Sequence, residues 1–405
     1  MSIVRSLRRL ALVCCLAVVA PALAASAEPI AGLDAYIQKA LVDWRTPGLT
    51  LAVVKDDRVV LTRGYGVRKL GAREMVDDRT IFALGSTSKA FAAATVALLV
   101  DEERLQWEDR VKIYLPWLEL QDPWVTNAVT VRDLLAHRVG TSYIDEERLR
   151  SVSRDARDML ERHRWVAPVA AFRSDYVYSN NMMTAAGLVV AAVAQTSWAQ
   201  FANERLWKPL GMKRTNADAI AARMDANAAS PHIGEFDDDP VPKLWTYPDA
   251  IAVPSGGVNS NAQDMAQWLR FQLGEGSIDG RTIIRRDAFK QMHTPQTVIR
   301  FPEKDAQQFP PRVQALMGEH TFWAYGLGWY ITEYRGSKMI WHSGTIDGFR
   351  AGVALWPEQR LAVFIGVNRT PSLLPFALML RIFDSYQGRA EQDWSAVFRE
   401  AAALD

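Results

Sequence analysis

Apolar and polar positions divide the chain into a leader, two strand-rich ends and a helical middle. Leu10 to Ala20 is an almost unbroken apolar run that stops at Pro21, with Arg5, Arg8 and Arg9 before it and Ala22-Leu23-Ala24 and Ala25-Ser26-Ala27 after it. Basic, apolar and small-x-small segments in that order predict a secretory signal peptide over residues 1–27, cleaved after Ala24 or Ala27. The rival reading is a membrane anchor, but the run is shorter than the roughly 18 residues a span needs. Arg8-Arg9 also fits twin-arginine export, so the export route stays open.

Beyond the leader, Ile30 to Val42 has helical periodicity. Leu49 to Val54 and Val59 to Gly66 are β-rich runs around Asp56-Asp57, which predicts a hairpin. Ser86 to Asp101 has almost no polar face, the mark of a buried helix. Helical patterns continue from Leu105 to about Met224, and Ala229 to Pro254, rich in Pro, Asp and aromatics, reads as a long surface loop. Strand patterns return at Phe322 to Thr332, Lys338 to His342, Phe349 to Trp356 and Leu361 to Val367, and Leu373 to Tyr386 closes as a helix. Strands at both ends with helices between them predict an α+β fold, in which one antiparallel sheet is assembled from the two ends around an inserted all-helical lobe. The expected organisation is a single domain over 28–388, with an α/β lobe of about 28–85 and 255–388 and a helical lobe of about 86–254. A tail follows over 389–405.

Charge and composition narrow the chemistry. Lys and Arg total 47 against 46 Asp and Glu, a formal charge of +1, so there is no basic excess with which to neutralise nucleic acid. Both cysteines, Cys14 and Cys15, lie in the leader. The mature chain therefore has no disulfide, thiol nucleophile or thiolate metal site. The six histidines lack metal-ligand spacing, and neither a Gly-x-Ser-x-Gly elbow nor a phosphate-binding Gly-x-x-x-x-Gly-Lys loop occurs. No metal or cofactor is expected. The expected partner is a small-molecule or short-peptide substrate, with no stable membrane anchor once the leader is removed.

Ser86-Thr87-Ser88-Lys89 is the single Ser-x-x-Lys match in the chain. Positions i and i+3 share a helix face, which sets the Ser86 hydroxyl beside the Lys89 amine. The free N–H groups and positive dipole end of a first helical turn favour developing negative charge. Apolar surroundings disfavour the ammonium form, although lowering a lysine from about 10.4 to about 7 takes roughly 4–5 kcal/mol. The plain alternative is a serine cap followed by a surface lysine.

Two more motifs bear on that choice. Tyr178-Ser179-Asn180 precedes the apolar run Met182 to Ala194. A tyrosine beside a lysine can shuttle a proton, and an asparagine amide can bond a substrate amide; a packed aromatic and a helix cap are the alternatives. His342-Ser343-Gly344 ends a strand pattern and is followed by Gly348. A glycine there lets substrate lie along the strand edge, and a backbone N–H beyond it can share an oxyanion hole with that of Ser86. His232-Ile233-Gly234 has the same form but sits in the long loop and is set aside.

Ser-x-x-Lys, Tyr-x-Asn and His-x-Gly in this order resemble the penicillin-recognising serine hydrolases related to class C β-lactamases, a family that includes D-peptidases and esterases. Leu134-Leu135-Ala136-His137 to Gly140, Pro209-Leu210-Gly211-Met212 with Thr215, and Ser255-Gly256-Gly257 with Asp264 look like further landmarks in the family's order. The resemblance implies a β-lactamase/transpeptidase-like fold: a five-stranded antiparallel sheet flanked by terminal helices, with the helical lobe inserted. It implies that Ser86 forms an acyl-enzyme and that Lys89 and Tyr178 carry its proton. Backbone N–H groups of Ser86 and Thr345 would hold the oxyanion, Asn180 would orient the acyl side chain, and His342 and Gly344 would line the substrate.

One departure matters. The best-known β-lactamases and peptidoglycan peptidases carry lysine where His342 stands, and a histidine with pKa near 6.5 is mostly neutral at pH 7. Carboxylate recognition is thereby in doubt. Glu103 replaces the glycine that often ends the buried helix, and the cleft is expected to be open on the side where some relatives carry an extra C-terminal β-barrel. Three readings follow: a hydrolase of peptide-like amides, a carboxylesterase on the same scaffold, and a catalytically silent binder of cell-wall fragments.

Overall fold

The computed structural model describes residues 30–245, 253–300, 322–389 and 391–402. The leader, with Cys14 and Cys15, and Tyr247 of the long loop lie outside the described residues. Seven helices of nine or more residues occur among those described: α1 (Leu33–Asp43), α2 (Ser88–Asp101), α3 (Tyr143–Val152), α4 (Asn180–Ala194), α5 (Ala262–Leu273), α6 (Leu374–Tyr386) and α7 (Trp394–Ala402). No single one of them is long and apolar enough to cross a membrane.

The main sheet has eight strands: β1 (Gly48–Lys55), β2 (Arg58–Gly66), β3 (Thr297–Val298), β4 (Trp323–Tyr325), β5 (Tyr330–Tyr334), β6 (Ser337–Ile346), β7 (Phe349–Trp356) and β8 (Leu361–Val367). Their order is β2-β1-β8-β7-β6-β5-β4-β3, antiparallel throughout. The β1–β8 pairing, from Leu49↔Val367 to Lys55↔Leu361, joins the two ends of the chain as expected. Asp56 and Asp57, both at positive φ (52° and 62°), make the β1–β2 turn.

The sheet is a middle layer with a core on each face. Leu49, Leu51 and Val53 of β1, with Leu361, Val363, Ile365 and Val367 of β8, pack against α1, α6 and α7. Ala52, Val54, Ala362 and Phe364 point the other way, into the core of the helical lobe. A strand buried on both faces loses its period-two alternation, which is why β8 reads as a continuous apolar run. Each of the Leu, Ile, Val and Phe side chains among them contributes roughly 1.5–3 kcal/mol by leaving water.

Eight strands replace the expected five. The Phe322 to Thr332 run is two strands, β4 and β5, split at Gly326-Leu327-Gly328. Gly328, with φ 77°, presses on the backbone of α2, where a Cβ would meet Lys89 O at 2.6 Å. β3, with two residues, is too short to show a period. The segment expected as a tail carries helix α7, whose Trp394 and Phe398 are buried. Trp394 Nε1 donates to Asp384 Oδ2 at 2.9 Å, and Trp44 Nε1 donates to Ser395 Oγ at 3.0 Å. In the long loop, Trp245 packs on Phe349 with ring centroids 4.7 Å apart. His232, set aside in the sequence, is structural: it accepts from Leu70 N at 3.0 Å and donates from Nδ1 to Asn368 O at 2.8 Å.

Candidate active site

From Thr80 to Leu99 every residue is buried except Ser86. Ser86 sits in a single 3₁₀ turn, Gly85–Thr87, that feeds directly into α2. Thr87 Oγ1 donates to Leu84 O at 3.0 Å and Ser88 Oγ donates to Gly85 O at 2.7 Å, while Ser88 Oγ accepts from Val258 N at 3.0 Å. The turn is tied on both sides, and the one side chain it exposes is the serine.

Lys89 lies one turn on and has no exposed surface. Its Nζ is 3.0 Å from Ser86 Oγ, 2.7 Å from Asn180 Oδ1, 2.9 Å from Ser255 O and 4.6 Å from the centre of the Tyr178 ring. Burial pushes its pKa well below the ordinary lysine range. The Tyr178 hydroxyl donates to Ser86 Oγ at 2.7 Å. The serine oxygen is therefore held between an amine and a phenol.

Tyr178 and Asn180 are placed by the start of α4. Ser179 caps that helix, its Oγ accepting from Met182 N at 3.0 Å. His137 Nδ1 accepts from Ser179 N at 3.0 Å, and its ring lies 4.5 Å from that of Tyr178. Burial holds His137 neutral, its pKa well below the usual value. Beneath the turn lies Glu146 of α3, buried, bonded to Ser179 Oγ, accepting from Thr141 Oγ1 at 3.2 Å and from Asn181 N at 3.1 Å. Burial pushes its carboxyl up to about 7 against the pull of those donors.

Strand β6 forms the opposite wall. Its partner β5 reaches only to Trp341, so on that side residues 342–346 run past the end of the sheet toward the Ser86 turn. Gly344 and Gly85 allow the approach. A Cβ on Gly344 would fall 1.9 Å from Leu84 O and 2.9 Å from Ser86 N, and one on Gly85 would fall 2.8 Å from Thr345 N. The backbone of Thr345 is thus brought up to the serine turn. His342 is buried, with Nε2 accepting from Tyr325 OH at 2.9 Å and Nδ1 donating to Ser343 O at 2.7 Å. Burial pushes its pKa to about 3, so it carries no charge at neutral pH.

The seven residues read from the sequence, Ser86, Lys89, Tyr178, Asn180, His342, Gly344 and Thr345, meet around one cleft of about 550 Å³. Ser255 O, Glu146 and Tyr325 went unread, because a carbonyl has no sequence signal and the other two look like ordinary helix and strand residues. Arg350, which also lines the cleft, left a trace: it is the one charged residue in the otherwise apolar strand Phe349–Trp356. Among the described residues no group of three or more His, Cys, Asp or Glu is placed to hold a metal ion.

Solved structures resemble the whole architecture. The octameric penicillin-binding protein homologue of Pyrococcus abyssi superposes with TM-score 0.75 at 22% identity, over 91% of this chain and 80% of that one. A class C β-lactamase gives TM-score 0.70 at 17% identity, over 89% and 96%. In sequence, an unguisins hydrolase of Aspergillus campestris is 29% identical across 86% of this chain and 63% of its own length. Protein flp of Staphylococcus aureus is 23% identical across 85% and 64%. The chain thus spans a little under two thirds of the length of these curated relatives. The Beta-lactamase family model matches residues 33–381, which runs from α1 through both walls of the cleft into α6. With fold, motif order and family model in agreement, the chain belongs to the Beta-lactamase family.

Proposed function

We propose that the protein is an exported serine hydrolase that forms an acyl-enzyme on Ser86 and acts on peptide-like amides. One observation carries this reading: Ser86 Oγ lies 3.0 Å from a fully buried lysine amine and 2.7 Å from a tyrosine hydroxyl. A neutral Lys89 has two N–H groups, which match Asn180 Oδ1 and Ser255 O, and one lone pair left for the Ser86 proton. Loss of that proton to Lys89 activates the oxygen for attack on the carbonyl carbon. The N–H groups of Ser86 and Thr345 receive the charge on the carbonyl oxygen. Tyr178 then hands a proton to the leaving group, and the same pair activates water for deacylation.

A binding protein has no physical need of a desolvated lysine beside a serine, which argues against a silent cell-wall binder. The esterase reading has one observation in its favour. Neutral His342 supplies no charge for a substrate carboxylate, and an ester without one does not require it. The unguisins hydrolase among the relatives supports hydrolysis without choosing between amide and ester.

The test is intact mass of the mature protein after incubation with a penicillin, beside Ser86→Ala. An adduct of the whole drug, absent from the variant, is the expected result. Hydrolysis of p-nitrophenyl butyrate through Ser86 with no penicillin adduct would move the assignment to the esterase. A wild-type protein inert to both compounds would overturn the hydrolase reading.

A further inference from the structure

A lysine at position 342 would have met a substrate carboxylate; His342 cannot, because it is buried, bonded through both ring nitrogens and uncharged. The cleft nevertheless holds a cation. Arg350, the second residue of β7, lies directly opposite Thr345 of β6, so their side chains stand on one face of the pair. Arg350 Nη1 donates to Thr345 Oγ1, and the guanidinium carbon lies 5.1 Å from the Phe376 ring, which holds the group in place.

The other charges around the cleft are matched. Glu147 pairs with Arg150, and Asp347 pairs with Lys243 at 2.5 Å. Arg350 makes no ion pair with any carboxylate among the described residues, and its Nε is buried without a hydrogen-bond partner. Burial lowers its pKa only to about 10, which leaves the charge in place at neutral pH. Arg350 is half-buried and its guanidinium has no carboxylate partner among the described residues, and an incoming carboxylate is the planar anion that its fork of donors fits.

We propose that Arg350, with the Thr345 hydroxyl beside it, forms a carboxylate subsite in the Ser86 cleft, in place of the cation that His342 does not supply. The inference rests on the hydrolase reading above and deepens it. The substrate is then a short peptide-like molecule whose scissile carbonyl lies within a residue or two of a free carboxylate. It also separates the amide and ester readings, since a neutral ester gains nothing from this subsite.

Matched acyl substrates, identical but for a free carboxylate or its methyl ester, test the idea with wild type, Arg350→Gln and Arg350→Lys. The quantity read is the ratio of kcat/KM for acid over methyl ester. In wild type it is expected to favour the acid. In Arg350→Gln it is expected to fall by about tenfold or more, the scale of a lost charge-assisted hydrogen bond, with partial recovery in Arg350→Lys. A ratio unchanged in Arg350→Gln, or a wild type indifferent to the carboxylate, would overturn the subsite. Labelling of Ser86 by a neutral fluorophosphonate is followed in parallel. Labelling with no acid preference sinks the subsite and leaves the hydrolase reading intact, whereas absence of labelling sinks both.

Discussion

Glu146 offers the sharpest physical test of the site's architecture, through Glu146→Gln. The substitution preserves shape and can satisfy every neighbour: the amide nitrogen can face the Ser179 and Thr141 hydroxyls, and the amide oxygen can accept from Asn181 N. What it removes is the ionisation. Burial raises the carboxyl from 4.5 to about 7, so the folded protein binds this proton more tightly than the unfolded chain does. The stability this group contributes is fully present below pH 4.5 and is lost as pH rises through about 7. That displacement is worth about 3 kcal/mol.

Urea unfolding, followed by tryptophan fluorescence at half-unit steps from pH 4.5 to 8.5, measures it. Wild type should lose about 3 kcal/mol relative to Glu146→Gln across that window. Buried His137, His163, His293 and His342 have depressed pKa values and act in the opposite sense, losing stability as pH falls below about 6.5, but they are common to both proteins and cancel in the difference. A difference that stays flat from pH 5 to 8 would refute the reasoning. Activity gives a second reading. The Glu146 charge is the foremost stabiliser of the Lys89 ammonium, so its removal should move the acid limb of kcat/KM to lower pH.

Two further expectations concern backbone. Gly344→Ala places a methyl 1.9 Å from Leu84 O and 2.9 Å from Ser86 N, both main-chain atoms, so strand and serine turn must part; kcat/KM should fall about a hundredfold with the circular dichroism spectrum unchanged, and near-native activity would contradict the assigned wall. Glu103 is exposed at the end of α2 with φ 59°, a left-handed position that favours glycine. Glu103→Gly should raise the urea midpoint by the equivalent of about 0.5–1 kcal/mol without changing activity, and a lower midpoint would count against strain there.

Much of the fold was legible because it follows from local rules. The Asp56-Asp57 turn, the apolar helix α2 and the β6 to β8 strands appear where the residue pattern puts them. The errors have physical causes. The two-residue strand β3 carries no periodicity, and the Gly326-Leu327-Gly328 break is invisible inside an aromatic-rich run. Helix α7 reads as an alanine-rich tail until Trp394 and Phe398 find the terminal-helix core.

The sequence by itself determined the pairing of Ser86 with Lys89, since three residues on a helical start leave two side chains on one face. It also marked the Tyr178 and His342 motifs as partners by their order along the chain. Tertiary structure alone decided what those groups are. The Lys89 pKa falls well below the ordinary lysine range because elements far along the chain, including those that carry Asn180 and Ser255, close over it and bury it completely. His342 is neutral because burial strips its ring of water, and Tyr325 OH donates to the Nε2 lone pair that a charged ring would need to protonate. Arg350 stands in the cleft because the β6–β7 register sets it opposite Thr345. Spacing along a chain fixes what neighbouring turns can share, but desolvation and charge balance depend on the whole packed surround, which no local pattern encodes.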